Sequence, residues 1–122
     1  MPILGYIYTL FILGVIGFQV ALILGAPWGR LTQGGKHEGA LPVAGRVMAG
    51  VSIFLLAGQA LAILSAAGNW PAWPSWTGWV AVALSGIAMG LNWATPSAAE
   101  RKLWGPITTV MFGLALAAVL GG

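Results

Sequence analysis

Four long apolar stretches make up most of this chain, and they restrict its possible folds more than any other feature. They cover residues 3–24, 47–66, 76–95 and 103–120. A transmembrane helix needs roughly 20 mainly apolar residues, so stretches of this length can cross a bilayer. Only 6% of the 122 residues are charged, against about 25% in ordinary soluble domains. Most of the surface is therefore expected to face lipid.

The apolar stretches are continuous, and this favours helices over the strands of a membrane barrel. In hydrocarbon every backbone N–H and C=O must be bonded internally, which only helices and closed barrels achieve. Barrel strands would alternate apolar and polar residues over about ten positions. The sequence thus predicts an all-α membrane protein, a single four-helix transmembrane domain over residues 1–122. The expected helices span about 3–24, 47–66, 76–95 and 97–120, and the first is expected to be retained, not cleaved as a signal peptide.

All the basic residues lie in two of the three connections between the predicted helices, at Arg30, Lys36, Arg46, Arg101 and Lys102. Lys and Arg remain on the cytoplasmic side of a bilayer. The pattern therefore predicts that loops 25–46 and 95–102 are cytoplasmic and that both termini are outside. We expect a multi-pass protein of the bacterial inner (plasma) membrane. Nucleic acid is not an expected partner, because the basic residues do not form one patch or stripe.

The positions of the Trp and Tyr residues are consistent with this topology, because both types collect at membrane–water interfaces. On this topology the inner interface would hold Trp28, Trp93 and Trp104. The outer interface would hold Tyr6, Tyr8, Trp70, Trp73, Trp76 and Trp79.

The first connection is rich in glycine and contains most of the ionisable side chains of the protein. Glycines allow backbone N–H groups to form a nest that binds anions. The candidates for binding an anion or a lipid headgroup are Arg30, Gly34, Gly35, Lys36, His37 and Arg46. In the alternative interpretation the glycines only make turns. His37 suits proton transfer or metal binding, but a solvated loop histidine is the more common case, and we predict no metal site.

The segment TPSAAERKLWGP before the fourth apolar stretch contains a capping-box pattern. Ser97 would accept a hydrogen bond from the N–H of Glu100, and the Glu100 side chain would reach back to the N–H of Ser97. Arg101 would anchor the helix at the lipid headgroups. We interpret Ser97, Glu100 and Arg101 as structural residues of the inner face, and Glu100 as a candidate ion-pair partner of Arg30 or Arg46.

A few polar and small residues inside the spans are expected to hold the helices together. Small residues let helix backbones approach, and amide side chains form hydrogen bonds between helices. The packing candidates are Gln19, Gln59, Gly86, Gly90 and Asn92. In an alternative interpretation, Gln19 and Gln59 line a pore.

The segments GAPWG and GGKHEGALP, followed by Arg46, and the segment NWATPSAAERKLWGP resemble a family of small four-helix bacterial inner-membrane proteins. The resemblance implies the same architecture and a single inner-face unit formed by the GG-x-H loop and the S…E-R segment. It implies no reaction. The positions that carry it are Pro27, Gly29, Gly34, Gly35, His37, Leu41, Pro42, Arg46, Asn92, Ser97, Glu100, Arg101, Trp104 and Pro106.

No charged residue lies in the middle of any predicted span, which favours a non-catalytic role. We expect an accessory or scaffold subunit of a larger membrane complex, or a self-associating bundle. The alternative is a small channel, transporter, or lipid- or anion-binding protein that uses the loop 25–46. An enzyme that uses His37, Glu38 and Glu100 is the least favoured interpretation. We therefore expect no catalytic residue and no cofactor, and the expected partners are membrane lipids with other subunits or a second copy.

Overall fold

The chain forms a bundle of four long helices in the computed structural model, which describes residues 1–121; Gly122, the last residue of the predicted domain, lies outside that range. The helices are α1 (Pro2–Ile23), α2 (Val43–Ala66), α3 (Ser75–Ala94) and α4 (Ala98–Gly121). Each is long and apolar enough to cross a membrane. The prediction of an all-α protein with four helices of membrane-spanning length is confirmed.

Helix α2 begins at Val43, four residues before the apolar stretch that predicted it. Pro42 occupies the N-cap position, and its carbonyl accepts from the N–H of Arg46 at 3.1 Å. Proline suits the start of a helix because its missing N–H would have no intrahelical partner there. The apolar stretch begins only after the charged residue Arg46, whereas the helix itself begins directly after Pro42. Arg46 therefore lies inside the first turn of α2.

The helices alternate in direction, so one end of the bundle contains the starts of α1 and α3 and the ends of α2 and α4. At Gly5, at the end of the first turn of α1, an added Cβ would lie 3.1 Å from the Cα of Leu64 near the end of α2. At Gly78, near the start of α3, an added Cβ would lie 3.0 Å from Val119 of α4 and 3.1 Å from Ala66 of α2. The opposite end of the bundle carries the other two connections and all the basic residues, with Arg30 and Lys36 in the first connection and Arg46, Arg101 and Lys102 near the starts of α2 and α4.

The hydrophobic core contains a tyrosine that the sequence placed at the outer interface. Tyr8 is completely buried and packs with Ile12, Ile63 and Ala81 in the larger of two apolar clusters. Tyr6 is 54% exposed. Two residues along a helix differ by about 200° in direction, so both tyrosines cannot face lipid. The prediction that Tyr8 belongs to the interfacial aromatic belt is therefore wrong.

The two glycines of α3 that were predicted to mediate packing differ from each other. A Cβ on Gly86 would lie 3.1 Å from the ring of Phe112, so the missing side chain lets α3 approach α4. A Cβ on Gly90 would meet no atom within 4 Å. Gly90 is exposed and mediates no close helix contact within residues 1–121, contrary to the prediction.

Candidate functional site

A cavity of about 870 Å³ lies mainly between α2 and α3, and we call it the α2–α3 cavity. It extends from the loop end of the bundle toward the core around Tyr8. Four of its lining residues (Met48, Leu55, Ile87 and Leu91) are more than half exposed, so the cavity opens sideways onto the surface that would face lipid. The rest of its apolar lining includes Val15, Phe18, Leu56, Leu84, Ala88 and Met111.

The α1–α2 loop (residues 24–42) covers one end of this cavity and contains two short 3₁₀ helices, Gly29–Leu31 and Gln33–Gly35. Gly34 and Gly35 have φ angles of +79° and +69°, which glycine adopts without strain. The side chain of Gln33 donates to the carbonyl of Gly45 at 2.8 Å and thereby ties the loop to α2. These turns fold the loop back onto the bundle, so it does not extend away from it.

Three hydrogen bonds join the α1–α2 loop to the start of α4. Ser97 Oγ donates to the carbonyl of Arg30 at 2.6 Å, and Trp104 Nε1 donates to the carbonyl of Leu31 at 2.9 Å. The N–H of Gly34 donates to Glu100 Oε2 at 3.5 Å. Trp104 also meets Phe18 of α1 edge to face, with the ring centroids 4.9 Å apart. The glycine-rich loop and the S…E-R segment therefore form one structural unit.

Glu100 is the buried ionisable side chain of this unit, with an exposure of 7%. Its backbone N–H donates to Ser97 Oγ at 3.2 Å, which is one half of the predicted capping box. The other half is absent from residues 1–121, because the N–H of Ser97 donates to Thr95 Oγ1 and the Glu100 carboxylate faces Gly34. The proposed ion pair with Arg30 or Arg46 is not formed either. The carboxylate instead lines the loop end of the cavity.

Arg46 and Arg101 point to carbonyl groups, in each case including one at the C-terminal end of a helix. Arg46 Nε donates to the carbonyl of Leu41 at 2.8 Å, and its Nη1 lies 3.5 Å from the carbonyl of Ile23, the last residue of α1. Arg101 Nη1 donates to the carbonyl of Thr95 at the end of α3. The C-terminus of a helix carries partial negative charge, so a guanidinium is stabilising at both places. These contacts give both arginines a structural role.

The predicted headgroup residues do not all converge on the cavity. Gly34, Lys36 and His37 line its loop end, whereas Arg30, Gly35 and Arg46 do not. Gly35 instead packs on Ser97, where an added Cβ would lie 2.5 Å from the Cβ of that residue. The Gly34 N–H, one donor of the expected anion nest, faces Glu100. An anion at this N–H would meet a carboxylate, and binding of an anion or a lipid headgroup by the loop stays a prediction.

At the other end of the cavity, three side chains from three helices form what we call the deep polar cluster: Tyr8, Gln59 and Ser85. The hydroxyls of Tyr8 and Ser85 lie 2.6 Å apart. Gln59 Nε2 donates to Tyr8 at 3.2 Å and to Ser85 at 3.3 Å. All three side chains are buried, and Gln59 and Ser85 line the cavity. The sequence offered one signal for Tyr8, its position on the opposite side of α1 from Tyr6.

Gln19 and Asn92 also line the cavity but do not join helices. Asn92 Nδ2 donates to the carbonyl of Ala88 in its own helix at 2.8 Å. The amide of Gln19 has no hydrogen-bond partner within residues 1–121, and it lies half-buried on the cavity wall. Of the three amides predicted to bond between helices, only that of Gln59 does so in this part of the chain.

Comparisons of the chain with protein families, with curated proteins and with solved structures found no match. The residues of the cavity therefore supply the argument for function.

Proposed function

We propose that this protein is a non-catalytic, multi-pass protein of the bacterial inner membrane that binds one lipid-like amphiphile in the α2–α3 cavity. The apolar part of the ligand lies between α2 and α3, and its polar headgroup lies at the α1–α2 loop. The positive-inside rule supports an orientation with that loop in the cytoplasm and both termini outside. This function is one form of the lipid-binding alternative that the sequence raised.

The cavity itself is the observation that carries the proposal. Its volume of about 870 Å³ falls in the range of about 300–1,000 Å³ that is typical of small-molecule sites. Its opening is flanked by apolar side chains such as Leu55 and Ile87, which are 52% and 59% exposed. A molecule dissolved in the bilayer can enter through such an opening without passing through water.

The side chains at the loop end of the cavity favour a headgroup that carries other polar groups besides a negative charge. Lys36 supplies a cation, Glu100 supplies a carboxylate, and His37 supplies a group that both donates and accepts. A zwitterionic or hydroxylated headgroup can pair with both charges. A bare anion would be attracted to Lys36 and repelled by Glu100.

The accessory or self-associating role that the sequence favoured stays a prediction, and lipid binding is compatible with it. The partners we propose are membrane lipids, with other membrane subunits or a second copy of the chain as further candidates. We propose no reaction, because the ionisable groups at the loop end do not form a set of nucleophile, base and orienting residue.

The test is to fill the cavity and measure the lipid that remains with the purified protein. Ala88 lines the cavity on α3, so A88F places a phenyl ring in the ligand volume. Ala83 is an exposed residue of the same helix outside the cavity, so A83F is the matched control. Native mass spectrometry after gentle extraction should show a one-to-one amphiphile adduct on the wild type and on A83F, and little on A88F. An unliganded wild type, or equal adducts on all three proteins, would overturn the proposal.

A further inference from the structure

The geometry of the deep polar cluster points to the chemistry of the ligand tail. We infer that the ligand carries a hydroxyl on its apolar chain, far from the headgroup, and that Gln59 and Ser85 bind this hydroxyl. The inference rests on the proposed function, since it names the substrate class of the same cavity.

Tyr8 and Ser85 each have one hydroxyl proton, and the Gln59 amide has two, so the three side chains hold four donor protons. The oxygens of Tyr8 and Ser85 lie only 2.6 Å apart and 3.2 and 3.3 Å from Gln59 Nε2, so they share one amide N–H while the other points elsewhere. One hydroxyl proton joins Tyr8 to Ser85, and the other hydroxyl proton is left over. If the amide were flipped so that Gln59 Oε1 faced Tyr8 and Ser85, only the two hydroxyl protons could serve the three contacts. The observed orientation, with Nε2 facing the two hydroxyls, is therefore the one in which every contact has a proton.

The hydroxyl proton that is left over belongs to Ser85. Tyr8 is completely buried and does not line the cavity, so its proton is satisfied when it donates to Ser85. The Ser85 proton is then free, and Ser85 lines the cavity. The hydroxyls of Ser52 and Ser65 donate to the carbonyl four residues earlier in their own helix. Ser85 makes no such bond within residues 1–121.

The side-chain carbonyl of Gln59 is an acceptor without a partner in the described residues. Every fully buried side-chain nitrogen and oxygen of these residues has a hydrogen-bond partner. The Gln59 Oε1 atom is therefore not fully buried, and the cavity that Gln59 lines is the space that reaches it. The cluster thus presents the Ser85 hydroxyl as a donor and the Gln59 carbonyl as an acceptor to whatever occupies the cavity.

A hydroxyl matches this pair because one oxygen both accepts a proton and donates one. In the hydrocarbon region an unsatisfied donor or acceptor is costly, so the cluster favours a ligand that supplies both. The distance to the headgroup follows from the helix rise. Ser85 and Thr95 both line the cavity on α3, and ten residues of helix place them about 15 Å apart along the axis.

Two zwitterionic amphiphiles that differ at one atom test the inference. Dodecylphosphocholine has an apolar end, whereas its analogue with a hydroxyl on the terminal carbon of the chain matches the required separation when extended. The phosphocholine group of either probe stays at the loop end, where Lys36 and Glu100 can pair with its two charges, because a charge is costly within hydrocarbon. The two amphiphiles are added together at equal concentration to delipidated protein in detergent. Native mass spectrometry then gives the ratio of their adducts.

We expect the hydroxylated amphiphile to be bound roughly tenfold better than dodecylphosphocholine, as two neutral hydrogen bonds would provide. Q59L and S85A should each reduce this preference severalfold, and their thermal unfolding shows whether they are folded. S65A is the matched control, because Ser65 lies outside the cavity with a hydroxyl bonded to the Leu61 carbonyl of its own helix, and it should keep the preference. If the wild type binds the two probes equally, as it would if water satisfied the cluster, this inference is overturned and lipid binding is left intact. Absence of both adducts overturns the proposed function and this inference with it.

Discussion

The Ser97 hydroxyl donates to the carbonyl of Arg30 at 2.6 Å, and its oxygen accepts from the N–H of Glu100 at 3.2 Å. One side chain thus caps the start of α4 and holds the α1–α2 loop, which lies 67 residues earlier in the chain. The loop end of the cavity depends on this contact, because Glu100 lines it from α4 and Lys36 lines it from the loop.

Replacing Ser97 by alanine should therefore release the loop as well as weaken the start of α4. Loss of an N-cap hydroxyl costs about 0.5–2 kcal/mol. We expect S97A to be cleaved by trypsin at Lys36 several times faster than the wild type in detergent. S75A is the control, since Ser75 also begins a helix but makes no side-chain cap there. Equal cleavage rates for S97A and wild type would contradict the proposed link.

The indole of Trp104 gives a second test of the same unit. W104F keeps the apolar contact with Phe18 but loses the 2.9 Å hydrogen bond to Leu31. We expect amides around Leu31 and Gly35 to exchange with deuterium faster, with a loss of about 1 kcal/mol in protection. W93F is the matched control, because the Trp93 indole donates to Thr109 and not to the loop. Faster loop exchange in W93F alone would count against this account.

The two tyrosines of α1 should differ in their contribution to stability. Y8F removes the hydroxyl that joins α1 to the deep polar cluster, and interhelical hydrogen bonds in membrane proteins average about 0.6 kcal/mol, with a maximum of about 1.7. We expect Y8F to lower the free energy of unfolding in mixed micelles with SDS by about 1 kcal/mol. Y6F should leave it unchanged, because Tyr6 is exposed and has no hydrogen-bond partner in residues 1–121. An unchanged free energy of unfolding in Y8F would show that the cluster contributes little.

Two glycines of α1 should respond to alanine with opposite signs. At Gly5 an added Cβ would lie 2.9 Å from Asn69 Nδ2 and 3.1 Å from the Cα of Leu64, where the backbone cannot yield easily. G5A should therefore lower the free energy of unfolding by about 1–3 kcal/mol, because the added methyl group overpacks this contact. At Gly14 an added Cβ meets nothing within 4 Å, so G14A should gain up to about 1 kcal/mol through helix propensity. The same SDS titration measures both, and similar values for the two variants would refute the close approach of α1 to α2.

The proposed orientation is testable because the chain has no cysteine. Lys36 and Ser75 are exposed at opposite ends of the bundle, so K36C and S75C report on the two sides. In intact spheroplasts a membrane-impermeant maleimide should label S75C and leave K36C unlabelled until the membrane is permeabilised. The cysteine-free wild type is the control. Labelling of K36C in intact spheroplasts would reverse the assignment of loop 24–42 to the cytoplasm.

The sequence by itself determined the number of helices and their approximate extents. Apolar length is a local property, and lipid as solvent leaves few alternatives to a helix for such a run. The start of α2 was placed four residues too late, because hydropathy is insensitive to a cap such as Pro42. The link between the glycine-rich loop and the segment around Ser97 was anticipated. Its contacts proved to be hydrogen bonds to two loop carbonyls and from the Gly34 N–H to the Glu100 carboxylate, with no ion pair to Arg30 or Arg46.

Only the tertiary structure decided which side chains meet inside the bundle. A helix that is apolar all round gives no indication of which face is buried. The rotation of each helix about its axis is set by packing, such as the approach of α1 to α2 at Gly5 and of α3 to α4 at Gly86. This rotation takes Tyr8 from the predicted interface into the core and brings Gln59 and Ser85 to it. Residues from three helices form the deep polar cluster only when all three rotations are fixed, and no single segment of sequence specifies them.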